Sequence, residues 1–397
     1  MIRTSVPGVL ASGSADFRAL YSAGYIVRTS HAVSLYDYDF QQRSQNEIVG
    51  YRPAALPFVY PAYTALLFVP LSLLLYKTAY FAFLALNLGL VLAASFIIRP
   101  HLSALTRLWP PLPTTLFLSF FPVGIALIQG QLSLVLLLLY CASFAAFERT
   151  QPFLAGVFLA LALVKFQIAL PIAFLFAAWR CWRFVAGVAV GAIALALVSL
   201  SVVGGKGIEL YLHSMISIAG SVSAKAAQAK YGMFPANMPN LHGLFYVLSN
   251  GAQWGSILLL ASSVLLLMWA MFQRPSFSLA LIVGLLVSYH LQPHDLSLLL
   301  LPTCLILNEA YPFQFSSERV AFRYRGPSSS HSWRSLGLFG VAVLWVTPLL
   351  QMLVIVAGWH FLFVLAMLPF LLPWKPGWVQ VFSGQRAIER LEVSPPG

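Results

Sequence analysis

Apolar runs of membrane-spanning length restrict the fold of this chain more than any other feature. Those near 78–98, 184–203, 253–273 and 335–356 approach or exceed the roughly 18–20 residues that a helix needs to cross a bilayer. Backbone groups in lipid must pair within their own segment or in a closed barrel, and barrel strands do not show such runs. The expected fold is all-α, a polytopic transmembrane helix bundle of about nine or ten spans. Charged residues make up 9% of the sequence, against about 25% in soluble domains.

The remaining apolar stretches are interrupted. Residues 57–76 contain Pro57, Pro61 and Pro70 and read as an interfacial or re-entrant pair of short helices. Pro122 lies inside 111–129, and Gly130-Gln131 separates that run from 132–147. The 153–179 run breaks at Lys165, and 277–289 and 296–308 are two halves around His290-Leu-Gln-Pro-His294-Asp295. Last spans are expected at 335–356 and 358–373. The organisation expected is an outer segment 1–56, a bundle 57–373 that includes an outer loop 204–252, and a cytoplasmic tail 374–397.

If each run after residue 77 crosses once, the short basic turns at Arg99/Arg107, Arg149, Arg180/Arg183 and Arg274 fall on one side. The loop 319–334 and the tail join them, and the positive-inside rule makes that side cytoplasmic. The other side then receives 1–56, Gln131, Lys165, 204–252 and 290–295. Ionisable groups and broken helices at membrane depth line a cavity or a protein interior. A polar cavity open to the outer side is therefore expected.

Each polar residue carries two readings. Asp16, followed by Phe17, is a proton acceptor beside apolar surface, or the N-cap of a helix. Lys165 is a cation for a phosphate, or a side chain snorkelling to the headgroups. His290 and His294 donate to a phosphate or a sugar hydroxyl, or satisfy a helix end. Pro293 between them argues against a metal pair, and no metal site is expected. Asp295 is placed to N-cap a helix starting at Leu296. Gln131 serves a sugar or caps a half-helix, and Asn240 and His242 serve a polyhydroxyl ligand or form turns. Arg52, before Pro53, faces a phosphate or lipid headgroups.

The net charge of +12 has no basic run interleaved with aromatics, so nucleic acid is not an expected partner. Cys141, Cys181 and Cys304 show no CxxC spacing and read as buried free thiols. No GxxxxGK[ST] or GxSxG occurs, which argues against a P-loop motor and an α/β-hydrolase.

Taken in order, several pieces resemble the polytopic glycosyltransferases of family 87, in superfamily C. They are Asp16-Phe17 with Tyr21 and Gly24, Leu35-Tyr36-Asp37, Phe58-Val-Tyr60-Pro61 and Gly130-Gln131. Ala155-Gly156 through Lys165 to Pro171, Met238-Pro-Asn240-Leu-His242-Gly243 and Asp295-Leu-Ser-Leu-Leu complete the set. The resemblance implies a hexose, mannose-like, carried on a polyprenyl phosphate and moved with inversion to a lipid or glycan acceptor. Transfer would take place on the extracytoplasmic side of the cell membrane, and no cofactor is implied. It implies Asp16 as general base; beside it, on the reading of the residues themselves, Lys165 with Arg52 or His294 would stabilise the departing donor phosphate. Tyr60, Gln131, Asn240, His242 and His290 would serve the sugar or acceptor. The partners implied are that donor, the acceptor and membrane lipids. In the family a membrane helix precedes the Asp-Phe pair. The fifteen residues before Asp16 are too polar to span, so a non-catalytic copy is a further reading beside a transporter or flippase for a lipid-linked or amphipathic solute.

Overall fold

A computed structural model describes residues 16–220, 234–310, 359, 360 and 362–371. Within them the chain is all-α. It opens with α1 (Phe17–Arg28), α2 (Tyr38–Ile48) and the single turn α3 (Tyr63–Leu66). Next come α4 (Tyr76–Ile98), α5 (Ser103–Leu108), α6 (Leu112–Ser119), α7 (Phe121–Gln129) and α8 (Ser133–Glu148). The middle holds α9 (Pro152–Leu161), α10 (Phe166–Ala178) and α11 (Trp182–Gly220). The last third adds α12 (Leu241–Leu248), α13 (Gln253–Met271), α14 (Phe277–Val287), α15 (Leu300–Ala310) and α16 (Leu362–Met367).

Among the described residues, four stretches are long and apolar enough to cross a membrane: Tyr76–His101, Pro152–Ala178, Trp182–Ile218 and Gln253–Met271. The pair α6 and α7, bent by 57°, makes up to a fifth, and α8 and α14 are shorter apolar helices. The expected span 335–356, the basic loop and the tail lie outside the described residues, while the part of 358–373 that is described holds α16 followed by a 3-10 turn, Leu368–Leu371. The spans turn aliphatic side chains outward, as a lipid-facing surface requires. On α13, Ile257, Leu260 and Leu265 are each about two-thirds exposed. This is a membrane protein.

The breaks have local causes. Phe120 is extended (ψ 118°) and Pro122 follows within the first turn of α7, where it has no N–H for a continuous ladder. Between α9 and α10 the chain tightens into a 3-10 turn, Ala162–Lys165. Pro171 stays within α10. Gly204 (φ 66°, ψ 178°) bends α11. The outer segment expected to start there instead continues as helix to Gly220, and this second arm sets the Tyr211 ring 4.8 Å from that of Tyr36.

The amino-terminal segment is seated by one aromatic cluster. Phe17 is fully buried, and its ring lies 5.2 Å from Phe83, 5.7 Å from Tyr76 and 6.2 Å from Phe68. Burying one such ring contributes about 2–3 kcal/mol. Gly24 lets α1 touch the Phe68 backbone, since a Cβ there would sit 2.4 Å from its carbonyl. Asp37 caps α2 by accepting from Phe40 N at 2.9 Å. The Tyr36 hydroxyl donates to the Tyr60 carbonyl at 2.8 Å, tying the Leu35-Tyr36-Asp37 turn to the Pro57–Pro61 strip.

Candidate active site

One cavity of about 620 Å3 collects side chains from every broken element. Asp16 comes from the start of α1, Tyr60 from the Pro57–Pro61 strip and Gln131 from the α7–α8 turn. Lys165 comes from the 3-10 turn between α9 and α10, and His290 and His294 from the break after α14. Met215, Ile216 and Ile218 of the bent α11 arm complete the wall.

Asp16 stands at the N-cap of α1 but makes no capping bond with its side chain. Its carboxylate accepts instead from Gln131 Nε2, while its backbone N–H donates to Gln129 Oε1 at 3.4 Å. The Tyr60 hydroxyl lies 3.5 Å from Gln131 Oε1, so the three side chains form one chain of polar contacts. Burial pushes the Asp16 carboxyl above its ordinary value, against the lowering effects of the Gln131 bond and the charges of Lys165 and Arg52. A carboxylate so placed suits proton acceptance.

The turn that holds Asp16 depends on Gly130. Its φ of +60° is a left-handed conformation, and a Cβ there would lie 2.7 Å from Phe17 Cβ. Gly130→Ala is expected to lower stability by about 1–3 kcal/mol and to displace the Asp16–Gln131 contact. Thermal unfolding in detergent measures the loss, and a wild-type midpoint would contradict it.

Another part of the wall rests on a buried ion pair. Lys165 is buried rather than snorkelled, and its ammonium pairs with Asp295. His294 Nε2 lies 3.4 Å from Lys165 Nζ and 3.6 Å from Asp295 Oδ1. Asp295 also accepts from Ser133 Oγ at 2.6 Å and from Gln292 N at 3.1 Å. Asp295 therefore does not cap a helix at Leu296. It is the third residue of the 3-10 helix Pro293–Leu299, where it forms a capping box with Gln292. Its tie to Lys165 spans 130 residues of sequence, and nothing in sequence pairs the two. The His290 ring faces the cavity with its Nδ1 buried and without a partner among the described residues.

Three sequence candidates do not line the cavity. Asn240 caps α12 by accepting from Gly243 N at 3.1 Å, and its amide donates to the Ser288 carbonyl. His242 Nδ1 donates to the Tyr289 carbonyl at 2.7 Å. These two hold the backbone that leads into His290 and do not line the cavity. Arg52 does not line it either. Its charge acts on Asp16, and its Nη1 is buried without a partner among the described residues.

A second cavity of about 450 Å3 adjoins the first and shares Phe166 with it. Apart from Ser199 and the tyrosines Tyr36, Tyr63 and Tyr211, its lining is aliphatic or aromatic. Phe166 thus stands between the polar side chains of the first cavity and an apolar groove lined by Pro61, Ala62 and residues of α11.

No curated protein and no solved structure matches the chain. The sequence pattern of Glycosyltransferase family 87 matches residues 58–302. That region includes the α7–α8 turn, Lys165 and the 290–295 break, while Asp16 and Arg52 precede it. The match covers more than half of the sequence, along the order of elements that builds the cavity, and the chain belongs to glycosyltransferase family 87.

Proposed function

We propose that this glycosyltransferase moves a mannose-like hexose from a polyprenyl-phosphate donor to a lipid or glycan acceptor, at the extracytoplasmic face of the cell membrane. The observation that carries the reading is one cavity lined by a carboxylate and by a buried ammonium and imidazole. Asp16 takes the proton of an acceptor hydroxyl. The oxygen forms a bond to C1 of the hexose as the C1–O bond to phosphate breaks, with inversion at C1. Polyprenyl phosphate leaves with one more negative charge. Lys165 and His294 face that charge, and transition-state stabilisation of this kind is commonly the largest catalytic contribution. Arg52 supports Asp16 electrostatically. His290, Gln131 and Tyr60 offer hydrogen bonds to sugar or acceptor hydroxyls, and Asn240 and His242 position His290. The apolar groove joined at Phe166 supports a lipid-borne donor, which reaches the site through the bilayer and needs no nucleotide fold.

The test is donor choice by the full chain in liposomes. Polyprenyl-phosphate hexose should be consumed, with polyprenyl phosphate released in proportion to product. Consumption of a nucleotide sugar in the absence of lipid donor would overturn the reading. Movement of intact donor across the bilayer without its cleavage would give the transporter reading instead.

A further inference from the structure

The end of the bundle away from the cavity carries a second polar cleft. α4 begins at Tyr76, beside Phe17, and runs 23 residues, about 35 Å at 1.5 Å per residue. At its far end a 3-10 turn, Arg99–His101, leads into α5. There Phe96, Arg99, Pro100, Ser103, Thr106 and Arg107 line a cleft of about 450 Å3. It is a built feature, because Asn308 of α15 accepts from Ala104 N at 2.8 Å and from Leu105 N at 3.3 Å, fixing the start of α5.

Among the described residues the cleft has no counter-charge paired with its arginines. Neither Arg99 nor Arg107 is paired with a carboxylate among the described residues. Thr106 Oγ1 is buried there without a partner among the described residues. Two guanidinium groups in one cleft repel each other unless an anion lies between them, and their donor forks match the tetrahedral oxygens of phosphate. The rim is apolar: Phe96 is 58% exposed and Trp109, nearby in sequence, 50%. The place is the end of a membrane-spanning helix, where aromatic rings meet headgroups. The anion expected there is amphiphilic.

We propose that this cleft seats the phosphodiester headgroup of an anionic membrane phospholipid. Arg99 and Arg107 pair with the phosphate oxygens, and Thr106 and Ser103 donate from their hydroxyls. Phe96 lies along the first acyl carbons. The cleft is a membrane thickness away from Asp16, so the ligand is a resident lipid rather than a sugar donor. It would fix the α4–α5 turn on the face opposite the cavity.

The test uses the full chain in nanodiscs of phosphatidylglycerol or phosphatidylcholine, with retained lipid read by native mass spectrometry. Wild type should retain phosphatidylglycerol in preference to phosphatidylcholine. R99Q/R107Q should weaken that retention about ten-fold or more, as expected for loss of charge-assisted bonds. R180Q/R183Q, which removes two arginines from another turn, should leave it unchanged. Equal loss in both variants would reduce the effect to general surface charge and overturn the proposal. Undiminished retention in R99Q/R107Q would also overturn it. R99K/R107K keeps the charges but removes the forks, so it should still weaken retention if the glutamine variant does not fold; unchanged retention would count against the site. Inorganic phosphate at the same concentration should not displace the lipid. Full displacement would assign the cleft to free phosphate.

Discussion

Asp16→Asn is expected to abolish sugar transfer without lowering the stability of the fold. Asparagine retains an oxygen for Gln131 Nε2, and Asp16 makes no cap bond that would be lost. What disappears is the proton acceptor, a change worth about 10²–10⁴ in rate. The stability expectation follows from the direction of the pKa shift. Burial raises the carboxyl in the folded state, so ionised Asp16 is less favourable there than in the unfolded chain. That penalty is absent below the ordinary carboxylate range, grows as pH rises through the folded value, and is fully present above it. At neutral pH the asparagine variant should therefore melt at or above the wild-type temperature. Transfer by the wild type should fall on the acid side as Asp16 takes up its proton, at a pH above the ordinary value of about 3.9. Transfer retained in the variant, or a midpoint several degrees lower, would remove Asp16 from this role.

Lys165→Met should have the second large effect, on stability and transfer together. It leaves Asp295 fully buried with Ser133 and the Gln292 N–H but no cation. Breaking one side of a buried ion pair costs about 3–5 kcal/mol. Adding Asp295→Asn removes the stranded charge, so the double variant should regain most of that loss. It should not regain transfer, because the leaving phosphate has lost its ammonium, a change worth about 10²–10³ in rate. The two singles and the double form a mutant cycle read by thermal unfolding and product formation. A double variant that transfers at the wild-type rate would show that Lys165 serves the fold and not the donor.

The parts of the site that were legible in sequence are those that interrupt an apolar run. Lys165, Gly130-Gln131 and the 290–295 break each end a helix because a proline, a glycine or a polar group leaves the ladder incomplete. Such interruptions show without any knowledge of neighbours. The pairings across the bundle were not legible. Asp295 looks like an ordinary cap until the fold brings Lys165 to it across 130 residues. Gly130 marks a turn in sequence, but the reason it must lack a side chain is Phe17, far away in the chain and close in space. Asn240 and His242 have the chemistry of ligand-binding residues, yet carbonyls at Ser288 and Tyr289 already take their donors. Gly204 reads as the end of a span, whereas local geometry lets helix resume beyond the bend.

The central claim is that Asp16 and the Lys165–His294 wall share one outward-opening cavity, with the arginine turns on the other face. Single-cysteine labelling from one side of sealed vesicles tests it most directly, in a background with Cys141, Cys181 and Cys304 replaced. Gln292→Cys, in the cavity wall, should react with a membrane-impermeant thiol reagent supplied from the extracytoplasmic side, and Arg107→Cys only with reagent supplied from the cytoplasmic side. Labelling of Gln292→Cys from the cytoplasmic side would contradict the account.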